Sequence, residues 1–490
     1  MDRKDLIFEE EIIQGLKDIT PPEEEILEIN PWMVPISSIA WGLILTTIRL
    51  NFLFLQYLLP TIGVALTFVG FRSLRNQNNY FRVLYYISLG RLLLHLVDTI
   101  VIGTPLNLMD IPSLGIGLVR LIIQVFTFLI FHMGLREVYK GAGRTMELSP
   151  LVWVSLWTIL AFFIAITPLA ETWLAFLPMI IFYILIIKAI FSIGEDLDDT
   201  GYLIKNAPVK ISNTSLRNIY LLLVVVVGLG SNMYFNNLKL DSHEFIPPVI
   251  TSIREDLLNK GFPAEALRYL AEDDLGLLGD AINIEVKNEL LMFDPRVSQE
   301  VSGSGYFQSI TNTHEPGKTN IDSTTIYIEM PDNVLYVMQY FKWKGGRPIW
   351  QDAIMLTGQD EVEDRQIISS SLFYSKKDKE YRANFPRLIM EGVEKQSFFG
   401  PSWIEPIRAS FSFPLGSKDQ GGYILYRYGR MESDIYLVPV LFEYIHQSIP
   451  IRIPYIRSED LFLQGGYGFS NNYKQHYSTY ESLGMKEVSE

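Results

Sequence analysis

The chain contains no cysteine among its 490 residues. That excludes disulfide frameworks, thiolate metal sites and thiol nucleophiles, so any domain outside the cell stands on packing alone. Basic charge is also scarce. The 41 Lys and Arg face 55 Asp and Glu, and the resulting net charge of −14 repels phosphate and excludes a nucleic-acid partner. The six histidines, at 95, 132, 243, 314, 446 and 476, are scattered without ligand spacing. The nucleotide, acyl-hydrolase and zinc-protease signatures GxxxxGKS/T, GxSxG and HExxH are absent, so those chemistries lack support. His243-Glu244 begins like a zinc-protease helix but runs into Pro247 and Pro248. Asp196 to Gly201 copies the first half of a calcium loop, yet Ala207 stands where a bidentate carboxylate is needed, and a solvated acidic loop is expected there. No metal, cofactor or catalytic residue is expected, and a non-enzymatic role is preferred, with an enzyme kept open as an alternative.

Apolarity is what the chain has in excess. It is 48% hydrophobic, with a mean hydropathy of +0.17, too apolar for an ordinary soluble enzyme. Nearly all the long apolar runs lie before residue 236: Phe52 to Phe71, Val83 to Gly103, Leu114 to Leu135, Leu151 to Thr167, Trp173 to Ile193 and Ile219 to Phe235. A span needs roughly 20 apolar residues. Trp32 to Thr47 is a shorter seventh candidate that contains Pro35. Six or seven transmembrane helices are therefore expected. Pro60 and Pro178 are expected to kink their helices, and Trp32, Trp41, Trp153 and Trp173 fall near span ends as interfacial aromatics do.

Loop charge predicts the direction. Arg72, Arg75 and Arg82, then Arg136, Lys140 and Arg144, then Lys205, Lys210 and Arg217 occupy alternate loops, while loops 104–113 and 168–172 carry no Lys or Arg. With seven spans this puts the N-terminus in the cytoplasm and everything after about residue 236 outside a plasma membrane. The first 30 residues show no cleavable signal peptide. Phe8, Ile12, Leu16 and Ile19 recur at helical spacing, so Leu6 to Ile19 predicts an amphipathic helix; Glu9, Glu10 and Glu11 on its other face disfavour anionic lipid and suit a protein partner.

Asn30-Pro31-Trp32, Gly42, Thr47 to Phe52, Leu59 to Gly63 and Gly70 to Arg75 form a pattern that resembles the opening of uncharacterised multi-span membrane proteins of Gram-positive bacteria. The resemblance covers about a tenth of the chain. It implies a membrane class and a bacterial setting and carries no activity.

Ionisable residues inside spans are costly, and here they cluster. Arg91, His95 and Asp98 share one helical face at i, i+4 and i+7, and Arg120 and Gln124 lie one turn apart on the next run. Counting residues places Asp98 and Arg120 at a similar depth, roughly 8 to 9 Å below the outer edge, so the two are expected to pair. This cluster is either a relay or substrate pocket, or polar glue between two helices. His132 and Lys188 lie near cytoplasmic ends, where their tips can snorkel.

Beyond the spans, residues 237–280 read as a short helical module. From 281 to 457 short Ile/Val/Tyr/Phe runs alternate with turns: Ile282 to Val286, Thr324 to Glu329, Val334 to Trp343, Pro348 to Leu356, Gln366 to Tyr374, Arg408 to Phe413, Tyr423 to Tyr428, Ile435 to Tyr444 and Ile449 to Tyr455. They predict an antiparallel sandwich or jelly roll. Residues 458–490 read as an aromatic and Gly-rich tail or a completed sheet edge. Trp343, Trp350 and Trp403 are candidates for stacking on a sugar, against the alternative that they are core. The expected organisation is an acidic segment over 1–30, a helical bundle over 31–236, and the β-domain presented outside. Its expected partners are membrane lipid and other envelope proteins or cell-wall carbohydrate. The alternatives are a transporter, or its associated subunit, using the intramembrane cluster, and an intramembrane enzyme acting on a lipid.

Overall fold

The computed structural model describes residues 31–48, 50, 54–109, 113–146, 149–205, 209–249, 251–302, 309–346, 348–358, 365–397, 400–430, 436–464 and 472–482. The amphipathic helix expected over Leu6 to Ile19 lies outside them. The chain divides into two compact units, one of Met1–Val101 with Met109–Leu229, the other of Ile102–Leu108 with Gly230–Glu490.

A helix stands at each apolar run of the first half: α1 (Met33–Thr47), α2 (Leu55–Leu74), α3 (Asn79–Ile102), α4 (Ser113–Gly141), α5 (Pro150–Ala165), α6 (Trp173–Asp198) and α7 (Asn213–Phe235). Among the described residues, α2, α3, α4, α6 and α7 are long and apolar enough to cross a membrane, while α1 and α5 have 15 and 16 residues.

The short α1 is held by two devices. Small residues let its backbone approach α2: a Cβ on Gly42 would lie 2.8 Å from the Gly63 carbonyl oxygen, and one on Gly70 would lie 2.8 Å from that of Pro35. At its start, where backbone N–H groups lack helical partners, the Asp198 carboxylate accepts the N–H of Trp32 and, at 3.0 Å, that of Met33. The Trp32 indole N–H donates to the Tyr202 carbonyl at 2.6 Å. Asp196 pairs with Arg144 at 2.7 Å. Two carboxylates of the solvated acidic loop expected from the sequence are thus structural groups, and Asp198 closes the last turn of α6 rather than lying in a loop.

The second unit is antiparallel. Strands β1 (Ser242–Glu244), β2 (Asn283–Met292), β5 (Asn320–Met330), β6 (Val334–Gly345), β8 (Gln366–Lys376), β9 (Lys379–Ala383) and β14 (Lys418–Arg430) form a seven-stranded sheet in the order β1-β9-β8-β14-β6-β5-β2. Strands β7 (Asp352–Thr357), β10 (Arg387–Met390), β13 (Ile407–Phe411), β15 (Tyr436–Ile445) and β16 (Tyr473–Ser482) form a five-stranded sheet in the order β10-β13-β7-β15-β16. Two hairpins, β3 (Arg296–Ser302) with β4 (Ser309–Glu315) and β11 (Val393–Ser397) with β12 (Gly400–Ile404), pair apart from both.

Alternation within β6 explains the layering. Leu335, Val337, Phe341 and Trp343 share one core with Ile354 and Phe411 of the five-stranded sheet. Tyr336, Met338 and Tyr340 share another with Leu257, Leu267 and Leu275 on the short helices α8 (Ser252–Asn259), α9 (Ala264–Leu267) and α10 (Glu272–Leu278). The strand is buried on both faces, which is why it reads as a nearly continuous apolar run, broken only by Gln339 and Lys342 before Lys344.

One sequence expectation changes here, and two others become specific. Within the helical module expected over 237–280, Glu272 to Asp274 forms the first turn of α10, with the Asp274 carboxylate accepting the Ala271 N–H at 3.3 Å. Ile449 to Tyr455 is no strand, because Pro450 and Pro454 lack the N–H a ladder needs. Its carbonyls go to asparagines instead: the Asn232 amide donates to Arg452 O and to Gly103 O at 3.2 Å, and that of Asn107 donates to Tyr455 O at 3.4 Å. Loop Ile102–Leu108, between α3 and α4, is thereby tied into this unit, with Tyr455 N–H donating to Ile102 O at 2.8 Å. Within 458–490, β16 pairs with β15 along ten residues, from Tyr436–Ser482 to Ile445–Tyr473.

Candidate functional site

The face Arg91–His95–Asp98 follows from helical periodicity on α3. Arg120 and Gln124 stand on α4, Thr158 and Phe162 on α5, and all seven line one cleft of about 340 Å³ together with Val64 of α2. The five polar residues picked out in the sequence are therefore brought together. Arg120 Nη2 lies 2.7 Å from Asp98 Oδ1, the pair anticipated from depth.

His95 makes a contact the sequence did not announce. Thr61 Oγ1 lies 2.9 Å from His95 Nε2 and donates its single hydrogen to Tyr57 O at 2.7 Å. The Thr61 oxygen is left as acceptor, which puts the imidazole proton on Nε2. Arg91 and Gln124 have no hydrogen-bond or ion-pair partner among the described residues. The cleft thus holds one neutralised guanidinium and one unneutralised.

The three tryptophans separate. Trp343 is core, 5% exposed, and its indole N–H donates to the Tyr444 hydroxyl at 3.1 Å. Trp350 is half-buried. Trp403 is 70% exposed on the β11–β12 hairpin, its ring against Gly392, where a Cβ would lie 2.7 Å from the ring. Only an exposed ring offers a face to a sugar, and of the three Trp403 is the exposed one.

Sequence reading missed two buried polar networks, because each is assembled from distant strands. In one, Asp352 is fully buried and accepts from Tyr444 OH at 2.8 Å and from Gln447 N–H at 2.9 Å, with His446 Nδ1 3.0 Å away. Burial and the adjoining carboxylate push the Tyr444 hydroxyl well above its ordinary pKa. In the other, His476 Nδ1 lies 3.0 Å from Ser323 Oγ and its Nε2 3.2 Å from Glu289 Oε2. Serine, histidine and carboxylate in line copy a hydrolytic relay, but Ser323 is fully buried and accepts the Gln339 amide at 2.9 Å, so no substrate carbonyl reaches it. Burial lowers the His476 pKa, opposed by Glu289. Among the described residues no three His, Asp or Glu side chains gather as metal ligands would.

No family model and no curated protein matches this chain. The solved structure of AvmM, a protein that catalyses macrocyclization in alchivemycin A biosynthesis, matches over 39% of this chain and 99% of that one, at 11% identity and a TM-score of 0.20. A likeness that low carries no argument about function.

Proposed function

We propose that the chain is a multi-pass protein of a bacterial plasma membrane that presents its second unit, a β-sandwich covered by short helices on one side, outside the membrane to bind or sense an envelope component. The reading rests first on Trp403, an exposed aromatic ring on a hairpin of a domain whose other large rings, among the described residues, are mostly buried. Carbohydrate of the cell wall is the ligand class that such a face suits. The charge alternation of the loops supports the outside location, and the likeness of residues 30–75 to Gram-positive membrane proteins supports the setting. The loop joining α3 to α4 is bonded into the sandwich unit, so ligand-dependent changes there have a covalent route to both helices.

The location is tested by labelling intact cells with a membrane-impermeant maleimide. In the turn from Pro414 to Ser417, Ser417 is only 8% exposed whereas Leu415 is 69% exposed, so Leu415→Cys is the variant to use. Labelling without lysis supports the reading, and protection until lysis overturns it. Retention of the purified chain on isolated cell-wall sacculi, lost in Trp403→Ala, tests the ligand class; equal retention of the variant removes Trp403 from binding.

A further inference from the structure

Arg91 stands at the middle of the 24-residue α3, roughly 17 Å from either end at 1.5 Å rise per residue. A guanidinium cannot shed its charge in a protein, so an arginine without a counter-charge at that depth calls for an anion. Arg120 is already matched by Asp98 at 2.7 Å, which leaves the cleft with one net positive charge. Donors from three side chains, Arg91, Arg120 and Gln124, line it, more than the two oxygens of a carboxylate require. Leu94, Leu121 and Phe162 supply an apolar wall, and about 340 Å³ exceeds what a bare inorganic anion fills.

We propose that this cleft binds a lipid phosphate: the phosphate faces Arg91 with Gln124 as second donor, and the first part of its hydrocarbon chain lies along Leu94 and Phe162. The site is separate from the sandwich unit and rests on α3 and α4 spanning a membrane.

The test uses the full chain in neutral detergent, titrated with dioleoyl phosphatidic acid and read by native mass spectrometry. Dioleoylglycerol, oleate and inorganic phosphate are the comparison probes. Phosphatidic acid is expected to be retained and dioleoylglycerol not, with Arg91→Gln weakening retention by about tenfold or more and Arg91→Lys by less. Equal retention by wild type and Arg91→Gln overturns the site. Inorganic phosphate that binds as tightly as phosphatidic acid makes it a free-anion site and overturns the lipid; oleate binding more tightly overturns the phosphate. Should Arg91→Gln fail to fold, Gln124→Leu is read in its place, with weakened retention expected and equal retention overturning the proposal. Release of the full chain from membranes by alkaline carbonate overturns the spanning assignment itself, whereas a carbonate-resistant chain that binds no phosphatidic acid overturns the site alone.

Discussion

Asp198, in the last turn of α6, accepts the backbone N–H groups of Trp32 and Met33 and so caps α1 from 165 residues away in the chain. A carboxylate placed there answers both the unmatched donors and the positive end of the helix. Asp198→Ala is expected to destabilise the full chain by about 1 to 2 kcal/mol, measured as a fall in thermal midpoint in detergent, with Asp198→Asn intermediate. A variant as stable as the wild type would show that α1 does not depend on the cap.

The α1–α2 contact makes a second prediction. A side chain on Gly63 meets the Gly42 carbonyl oxygen at 2.8 Å, and backbone cannot step aside cheaply. Gly63→Val is expected to cost about 1 to 3 kcal/mol by overpacking, whereas Gly90→Ala, where a Cβ meets nothing within 4 Å, is expected to change stability little. Comparing the thermal midpoints of the two variants checks it.

Asp98 and Arg120 supply a third. If the pair serves packing, a double-mutant cycle with Asp98→Asn and Arg120→Gln reports a coupling of about 1 kcal/mol, the scale of polar contacts between membrane helices. Exchanging the two residues then restores stability better than either single loss.

The tryptophans give a fourth, because burial separates them. Trp343→Ala is expected to cost about 3 to 5 kcal/mol of stability in the second unit. Trp403→Ala is expected to stay within about 0.5 kcal/mol, as exposed positions do. Chemical denaturation followed by circular dichroism distinguishes them.

Acidification gives the last. His476 has its folded pKa lowered by burial against Glu289 of β2 and Ser323 of β5. Below the unfolded value near 6.5 the unfolded chain takes up a proton that the folded chain resists, so stability declines as pH falls from 7 toward 5. His476→Gln is expected to flatten that decline in a pH series of unfolding midpoints.

The sequence made the first half legible because long apolar helices announce themselves by sustained apolarity, and the polar cluster because α3 repeats its face at i, i+4 and i+7. Counting residues from the run ends was enough to pair Asp98 with Arg120. Thr61 escaped notice since its link to His95 joins two helices through a single hydroxyl, which no spacing encodes. Strand β16 read only as a tail or a completed sheet edge because His476, Ser478 and Tyr480, the residues it turns to buried partners, are polar and erase the usual alternation. Ile449 to Tyr455 misled in the opposite sense, being apolar enough for a strand while its two prolines forbid the ladder. Asp352 and His446 lie 94 residues apart, and only the pairing of β7 with β15 joins them.

On the proposed assignment of α3 as a membrane span, Arg91 has an electrical consequence. A cation at mid-depth in a polarised bilayer sits within the transmembrane voltage, which does about 2.3 kcal/mol of work per 100 mV on a unit charge crossing the full field, and about half of that from the centre outward. The Asp98–Arg120 pair, with no net charge, feels almost none of it. Any rearrangement of α3 that shifts Arg91 toward one surface is therefore biased by the resting potential of the cell, and an anion seated beside it cancels that bias.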